Sequence, residues 1–127
     1  MIAVDTSALM AILLDEGAAE DCASSLEAED RILISAATVA EALIVAGRRN
    51  VGDEMLRLID GLGLEVVNVT PASALRVASA WRRWGKGPNS ASLNFGDCFA
   101  YEVAKEHSCR LLYVGEDFDK TDVERVL

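Results

Sequence analysis

The chain has 127 residues, 51% of them hydrophobic, and a formal net charge of −9 at pH 7. This length and composition predict one domain, residues 1–127, that can bury a core without disulfides or metal staples. An acidic chain lacks the basic surface on which nonspecific nucleic-acid binding depends, so charge alone favours a cationic partner. Acids that hold divalent metal ions are neutralised in use, however, and the net charge therefore does not decide the substrate.

The three cysteines, Cys22, Cys98 and Cys109, are widely spaced and include no Cys-x-x-Cys pair. This pattern predicts free thiols instead of a disulfide framework or a zinc site. The apolar start of the chain contains Asp5 and has neither a basic leader nor a small-residue cleavage signal. No apolar run reaches the length of a membrane span. We therefore expect a cytoplasmic protein with no membrane partner.

The first half of the chain alternates short apolar runs with helical patterns. Buried strands are predicted at Ile2 to Val4 and at Arg31 to Ile34. Asp5-Thr6-Ser7 and Ser35 supply oxygens suited to capping the helices that follow these strands. The predicted helices are Ala8 to Leu14, Ala18 to Ala28, Ala36 to Ala46 and Val51 to Leu62.

The second half continues the same alternation. The predicted elements are a strand at Leu64 to Val69, a helix at Ala72 to Trp84, a loop at Gly85 to Leu93, a helix within Asn94 to Glu106, and a strand at Arg110 to Val114. Thr121 to Leu127 is a candidate edge strand. Strands and helices that alternate in this way predict an α/β fold, a three-layer α/β/α domain around a central, mainly parallel sheet of four to five strands.

Two aspartates occupy the starts of predicted helices. Asp5 follows the first strand, and Asp97 falls in the first turn of the helix that we expect to open at Gly96, where glycine would free the backbone for a turn. Each has a structural interpretation, because a helix cap or a first-turn acid stabilises a helix on its own. Their position beyond the strands is also where parallel sheets bind ligands.

Glu41 is the only charged residue within Ala36 to Ala46, and its neighbours at helical spacing are Ala37, Ile44 and Val45. A carboxylate among apolar side chains is either at the helix rim or held by a cation, because charges are rarely buried unpaired. A further group of acids, Glu116 to Asp119, follows the fourth strand. The predicted fold brings all of these acids to one edge of the sheet.

Carboxylates that converge in one cleft repel one another unless a cation compensates their charge. Oxygen-only ligands favour Mg²⁺, with Mn²⁺ able to replace it, over Zn²⁺, because the chain offers no suitable set of His and Cys ligands. The only histidine, His107, is expected at a helix end. Such ions can activate water for phosphodiester hydrolysis without a side-chain nucleophile.

The motifs of this chain resemble those of the PIN-domain ribonucleases, and within that family the VapC toxins of VapBC toxin–antitoxin pairs. The resemblance is carried by Asp5 to Leu9, by the position of Glu41, by Leu93 to Tyr101 and by Leu111 to Phe118. It implies Mg²⁺-dependent cleavage of RNA, a VapB-like antitoxin as partner, and a homodimer.

By matching position, the resemblance assigns the metal-binding and catalytic groups to Asp5, Glu41, Asp97 and Asp117. Thr6, Ser7 and Asn94 would assist them. Gly115 stands where many relatives place an acid or an asparagine, so Glu116 and Asp119 remain alternatives for the fourth acid.

Two other classes of protein also group acids at strand ends. A metal-dependent adhesion site of the form Asp-x-Ser-x-Ser would make the chain a binding module, but Leu9 occupies the last hydroxyl position. A receiver-type phosphoacceptor domain would need a second acid beside Asp5, and Ala3-Val4-Asp5-Thr6 lacks it. Both motifs fit the chain less well than the PIN pattern.

A basic and aromatic segment ends the helix predicted before the loop. Arg82, Arg83 and Lys86, together with Trp81 and Trp84, are candidates for holding an RNA backbone and stacking on its bases. The competing interpretation is structural, because tryptophans at helix ends often serve as partly buried anchors.

Overall fold

In the computed structural model, residues 1–87 and 92–127 are described. The strands are β1 (Ile2–Val4), β2 (Ile32–Ser35), β3 (Glu65–Val67) and β4 (Arg110–Leu112). The helices are α1 (Thr6–Leu13), α2 (Ala19–Glu27), α3 (Ala36–Arg48), α4 (Gly52–Leu62), α5 (Pro71–Trp84) and α6 (Phe95–Glu106). Residues 88–91 of the predicted loop lie outside the described part of the chain.

The four strands form one parallel sheet in the order β3-β2-β1-β4. The sheet has two cores because successive side chains of a strand point to opposite faces. Ile2 and Val4 face a core built with α1 to α4, whereas Ala3 faces a second core built with α5 and α6. The predicted α/β/α architecture with a central parallel sheet is therefore confirmed.

β3 and β4 are shorter than the sequence predicted because the strands beside them end where helices begin. Val67 is paired with Ser35, which ends β2 and caps α3, so β3 has no partner beyond it and does not extend to Val69. In the same way Leu112 is paired with Val4, after which Asp5 caps α1. The short strands place both helix starts at one edge of the sheet.

The last residues contribute only a single parallel bridge, from Leu111 to Arg125, instead of the edge strand predicted at Thr121 to Leu127. The three cysteines are free thiols, as expected. Within residues 1–87 and 92–127, no helix combines the length and apolar character needed to cross a bilayer.

Candidate active site

Asp5 lies at the carboxyl edge of β1 and is 3% exposed. Its Oδ2 accepts hydrogen bonds from the Ser7 backbone N–H (3.1 Å) and from the Ser7 hydroxyl (2.6 Å), so the predicted cap of α1 is present. The Ser7 hydroxyl oxygen also accepts from the backbone N–H of Val114 (3.0 Å). Ser7 therefore ties Asp5 to the segment that follows β4, two elements that are far apart in the sequence.

Asp97 is held in the first turn of α6 by a reciprocal pair of hydrogen bonds. The Asn94 side chain accepts from the Asp97 backbone N–H (2.9 Å), and Asp97 Oδ2 accepts from the Asn94 backbone N–H (3.0 Å). This capping box leaves the Asp97 side chain 6% exposed. Asn94 thus fixes the position of the carboxylate.

Glu41 reaches the same place from α3. Its Oε1 accepts a hydrogen bond from the Thr6 hydroxyl (2.5 Å), and its carboxylate lies against the backbone of Gly96. A Cβ added at Gly96 would lie 2.6 Å from Cδ of Glu41. The expected role of Gly96 is therefore corrected: it is the second residue of α6, and it is required for the close approach of Glu41 instead of for a turn.

Glu41 lies at the rim of α3, which is the first of the two alternatives that the sequence left open. It is half-buried, and its neighbours Ile44 and Val45 line an open cleft between α3 and α6. Ile44 remains 57% exposed. Glu41 therefore occupies the inner wall of a cleft that is open to solvent.

The candidates for the fourth acid differ in what they contact. Asp119 accepts hydrogen bonds from the Tyr113 hydroxyl (2.9 Å) and from Arg125 (2.8 Å), so its carboxylate is engaged within the C-terminal segment that follows β4. Asp117 and Glu116 are exposed. Asp117 acts electrostatically on Asp97, because its charge contributes to raising the pKa of that carboxyl group.

The two buried aspartates have strongly perturbed acidities. The pKa of Asp97 is raised to about 7, mainly by burial and also by the charges of Asp5, Asp117 and Glu41, against the lowering effect of the Asn94 backbone hydrogen bond. Burial likewise raises the pKa of Asp5 to about 6, against the lowering effect of Ser7. The four carboxyl groups thus share one electrostatic environment.

The buried Oδ1 atom of Asp5 has no hydrogen-bond partner within residues 1–87 and 92–127. A buried carboxylate oxygen without a partner is costly. In the same part of the chain, no group of three or more His, Cys, Asp or Glu side chains stands in an arrangement ready to hold a metal ion. Mutual repulsion, which raises the pKa of Asp97, opposes such an arrangement.

The basic and aromatic residues of α5 separate into two environments. Trp84 donates a hydrogen bond from its indole N–H to the Tyr101 hydroxyl (3.0 Å), while Arg83 stacks over the Trp84 ring at 4.5 Å and pairs with Asp122 at 3.7 Å. Trp84 is thus a structural anchor. Trp81 and Arg82 instead line a cleft with Phe95, and Lys86 is exposed.

Three features of this region were not predicted from the sequence. Arg48 lines the cleft beside Glu41, and Phe95 stands 73% exposed between two clefts. The α3 spacing of Glu41, Val45 and Arg48 is the sequence signal that places the arginine on the face of Glu41. The third feature is the ion pair of Arg76 with the buried Glu102 (3.1 Å), which joins α5 to α6.

The family of the chain follows from a comparison of its sequence with known families and proteins. The PIN domain family model matches residues 2–124. The chain belongs to the PIN-domain family. A VapC ribonuclease of Mycobacterium bovis is 39% identical over 97% of this chain and 96% of its own length, and a ribonuclease VapC of Mycolicibacterium smegmatis is 40% identical over 97% and 98%. The resemblance noted in the motifs is therefore confirmed along the whole PIN domain.

Solved structures of PIN-domain toxins share the fold. VapC20 of Mycobacterium tuberculosis, a toxin that cleaves the sarcin–ricin loop, superposes with a TM-score of 0.79 at 16% identity, covering 99% of this chain and 98% of that one. A toxin–antitoxin complex from Klebsiella pneumoniae gives a TM-score of 0.70 at 18% identity, with coverage of 96% and 93%. The family assignment favours the nuclease over the receiver and adhesion alternatives.

Proposed function

We propose that this PIN-domain protein is a divalent-metal-dependent endoribonuclease that hydrolyses RNA phosphodiester bonds as the toxin of a toxin–antitoxin pair. The observation that carries the proposal is the buried Asp5 Oδ1, which lacks a hydrogen-bond partner in the described residues and belongs to a carboxylate coupled to Asp97. A bound cation would give the unpaired oxygen a partner and would offset the repulsion between the carboxylates. The VapC ribonucleases that match nearly the whole chain support the same activity.

The chemistry of the available ligands fits Mg²⁺, or Mn²⁺ in its place. Asp5 and Asp97 would hold the ion, with Glu41 and Asp117 completing or adjusting its surroundings, and all four offer the hard oxygen ligands that these ions prefer. When bound, a divalent ion supplies an activated water and stabilises the leaving oxygen. Asp117 is preferred to Glu116 and Asp119 as the fourth acid because its charge acts on Asp97 and because Asp119 is engaged by Tyr113 and Arg125.

The residues around the carboxylates act as positioning groups. Ser7 fixes one oxygen of Asp5, and the other has no hydrogen-bond partner within the described residues. Thr6 holds one oxygen of Glu41, and Asn94 holds one oxygen of Asp97 through its backbone N–H. In each of these acids, a hydrogen bond orients one carboxylate oxygen, and the second oxygen is available to a ligand.

Binding of the RNA backbone is assigned to Arg82, Arg83 and Lys86, because an acidic site repels phosphate unless nearby cations offset that repulsion. Arg82 is best placed, since it lines a cleft shared with Phe95 near the carboxylates. Arg83 shares its charge with Asp122. Substituting all three should reduce RNA affinity and its dependence on salt; an unchanged salt slope would assign them a purely structural role.

A VapB-like antitoxin is proposed as the protein partner, and the toxin itself is proposed to form a homodimer. The toxin–antitoxin complex of the same fold and the net charge of −9 support a partner with a basic segment. An arginine or lysine of that segment would enter among Asp5, Glu41, Asp97 and Asp117. Single replacements of the basic C-terminal residues of a co-expressed antitoxin test this contact, and full silencing by every variant would contradict it.

The enzymatic proposal is tested by comparing RNA turnover of the wild-type protein and Asp97→Asn in Mg²⁺ and in EDTA. The wild type should cleave RNA in Mg²⁺ only, and Asp97→Asn should lose at least about a hundredfold in rate because one charged ligand becomes neutral. Asp53→Asn, an exposed acid in α4, is the matched control and should cleave normally. Equal turnover by the wild type and Asp97→Asn would contradict the proposal.

A further inference from the structure

Phe95 is a large aromatic residue displayed to solvent at the mouth of the candidate site. It is the first residue of α6 and is 73% exposed, and its ring meets that of Phe99 edge to face at 5.0 Å. It lies between Asn94, which caps α6, and Gly96, which touches Glu41. The ring therefore stands beside the carboxylates without taking part in either core.

A cleft opens on each side of the Phe95 ring. The first, of about 410 Å³, lies between α3 and α6 and includes Glu41, Ile44 and Arg48. The second, of about 340 Å³, lies between α5 and the start of α6 and is lined by Ala78, Trp81 and Arg82. Phe95 lines both clefts, and each cleft has an apolar wall and an arginine of its own.

The charged residues of the two clefts indicate which class of ligand the clefts can bind. Arg48 and Arg82 form no ion pair with any residue in 1–87 or 92–127, although most of the charged surface of the molecule is acidic. An aromatic face beside an unpaired guanidinium is the combination that binds a nucleotide, with the base on the ring and the phosphate on the cation. An apolar protein partner would offer neither guanidinium group an anion, and Arg82 would keep its hydrogen bond to the Ser79 hydroxyl (3.0 Å).

We infer that Phe95 is a base-stacking residue for the unpaired RNA nucleotides that flank the cleaved phosphate, with Arg48 and Arg82 as phosphate contacts on its two sides. The inference rests on the proposed ribonuclease activity and extends it to the substrate: the RNA is single-stranded at the cleavage point, because a stacked and paired base cannot reach the ring. Trp81 forms the far wall of the second cleft.

The first test measures binding and cleavage of a single-stranded RNA by Phe95→Leu and Phe95→Trp. Loss of the ring in Phe95→Leu should weaken RNA affinity about tenfold, and Phe95→Trp should retain affinity because it keeps an aromatic face. Affinity is measured in the Asp97→Asn background so that the RNA stays intact. Leu75→Ala is the matched control, because Leu75 is also 73% exposed but lines neither cleft.

The second test removes the base instead of the ring. An RNA with an abasic nucleotide next to the cleaved phosphate should be cut about tenfold more slowly by the wild type, and Phe95→Leu should add no further loss on that RNA, because the two changes remove the same contact. Arg48→Gln and Arg82→Gln should each lower the salt slope of binding by about 0.7.

Four results would overturn the inference. The first is full affinity in Phe95→Leu, and the second is an additive loss with the abasic RNA. The third is a fall in molecular mass by sedimentation in Phe95→Leu but not in Leu75→Ala, which would identify the face around Phe95 as a protein–protein interface. The fourth is a wild-type protein that neither binds nor cleaves RNA, which would overturn the ribonuclease proposal as well; in the first three the wild type still cleaves.

Discussion

At the scale of single residues, Asp97 serves two purposes that oppose each other energetically. Its carboxylate closes the capping box of α6, which stabilises the helix, and it stands among other acids in a buried position, which raises its pKa to about 7. A carboxyl group whose pKa is higher in the folded state stabilises the fold when protonated. That contribution is complete below the ordinary pKa of 3.8 and is lost as the pH rises through about 7.

We predict that Asp97→Asn stabilises the metal-free protein in a pH-dependent way. The amide is neutral at every pH and keeps an oxygen to accept from the Asn94 backbone N–H. The free energy of unfolding of the variant should match that of the wild type near pH 4 and exceed it by up to about 4 kcal/mol at pH 8, because folding raises the pKa of Asp97 from 3.8 to about 7. Denaturant melts in EDTA between pH 4 and 8 measure the difference, and a difference independent of pH would contradict this explanation.

At the scale of secondary-structure elements, the contact between α3 and α6 places Glu41 against Gly96. We predict that Gly96→Ala displaces the Glu41 carboxylate and reduces RNA cleavage with little change in stability, because the added methyl group overlaps only the flexible end of the Glu41 side chain. Gly61→Ala in α4 is the control, since a Cβ there meets nothing within 4 Å, and it should stabilise the protein by about 0.5–1 kcal/mol.

The comparison with Glu41→Ala isolates the cause. In that background Gly96→Ala should stabilise the protein as Gly61→Ala does, because the carboxylate that it overlaps has been removed. Thermal melts of the four variants in this cycle provide the measurement. If Gly96→Ala changes stability equally with and without Glu41, the glycine is required for another reason.

The elements were predictable where a local pattern determines them. The helix starts at Asp5 and Ser35 carry capping residues, and the apolar runs before them identified β1 and β2. The start of α6 was expected at Gly96, and its cap at Asn94 was not identified. Strand lengths were overestimated because the end of β3 depends on where its partner becomes α3, which no pattern within residues 64–69 records.

The site was predictable in its acids but not in its contacts. Asp5 and Asp97 were identifiable because each stands at the start of a predicted helix, whereas Ser7 bridges to Val114 over 107 positions and Glu41 meets Gly96 between separate helices. Trp84 is an anchor and Trp81 lines a cleft because Trp84 alone of the two donates to Tyr101, which belongs to another helix. Such contacts are tertiary, and sequence spacing does not encode them.

At the scale of the whole molecule, the four acids come from four different segments: the end of β1, α3, the start of α6 and the turn after β4. They approach one another only when the sheet and both of its helical layers are formed. A ligand that binds the acids together therefore binds only the folded protein and stabilises it by mass action. The central claim that these acids hold a divalent ion predicts a stability effect as well as an activity.

The most direct measurement is the thermal melt of the wild type and of Asp97→Asn with and without millimolar Mn²⁺. If Mn²⁺ is present at 100 times its dissociation constant, the wild type should gain about 2.7 kcal/mol and a higher melting temperature, while Asp97→Asn should gain little. Asp53→Asn, with its exposed acid in α4, should respond as the wild type does. A melting temperature that Mn²⁺ leaves unchanged in the wild type, or raises equally in Asp97→Asn, would contradict the assignment of these acids as the metal site.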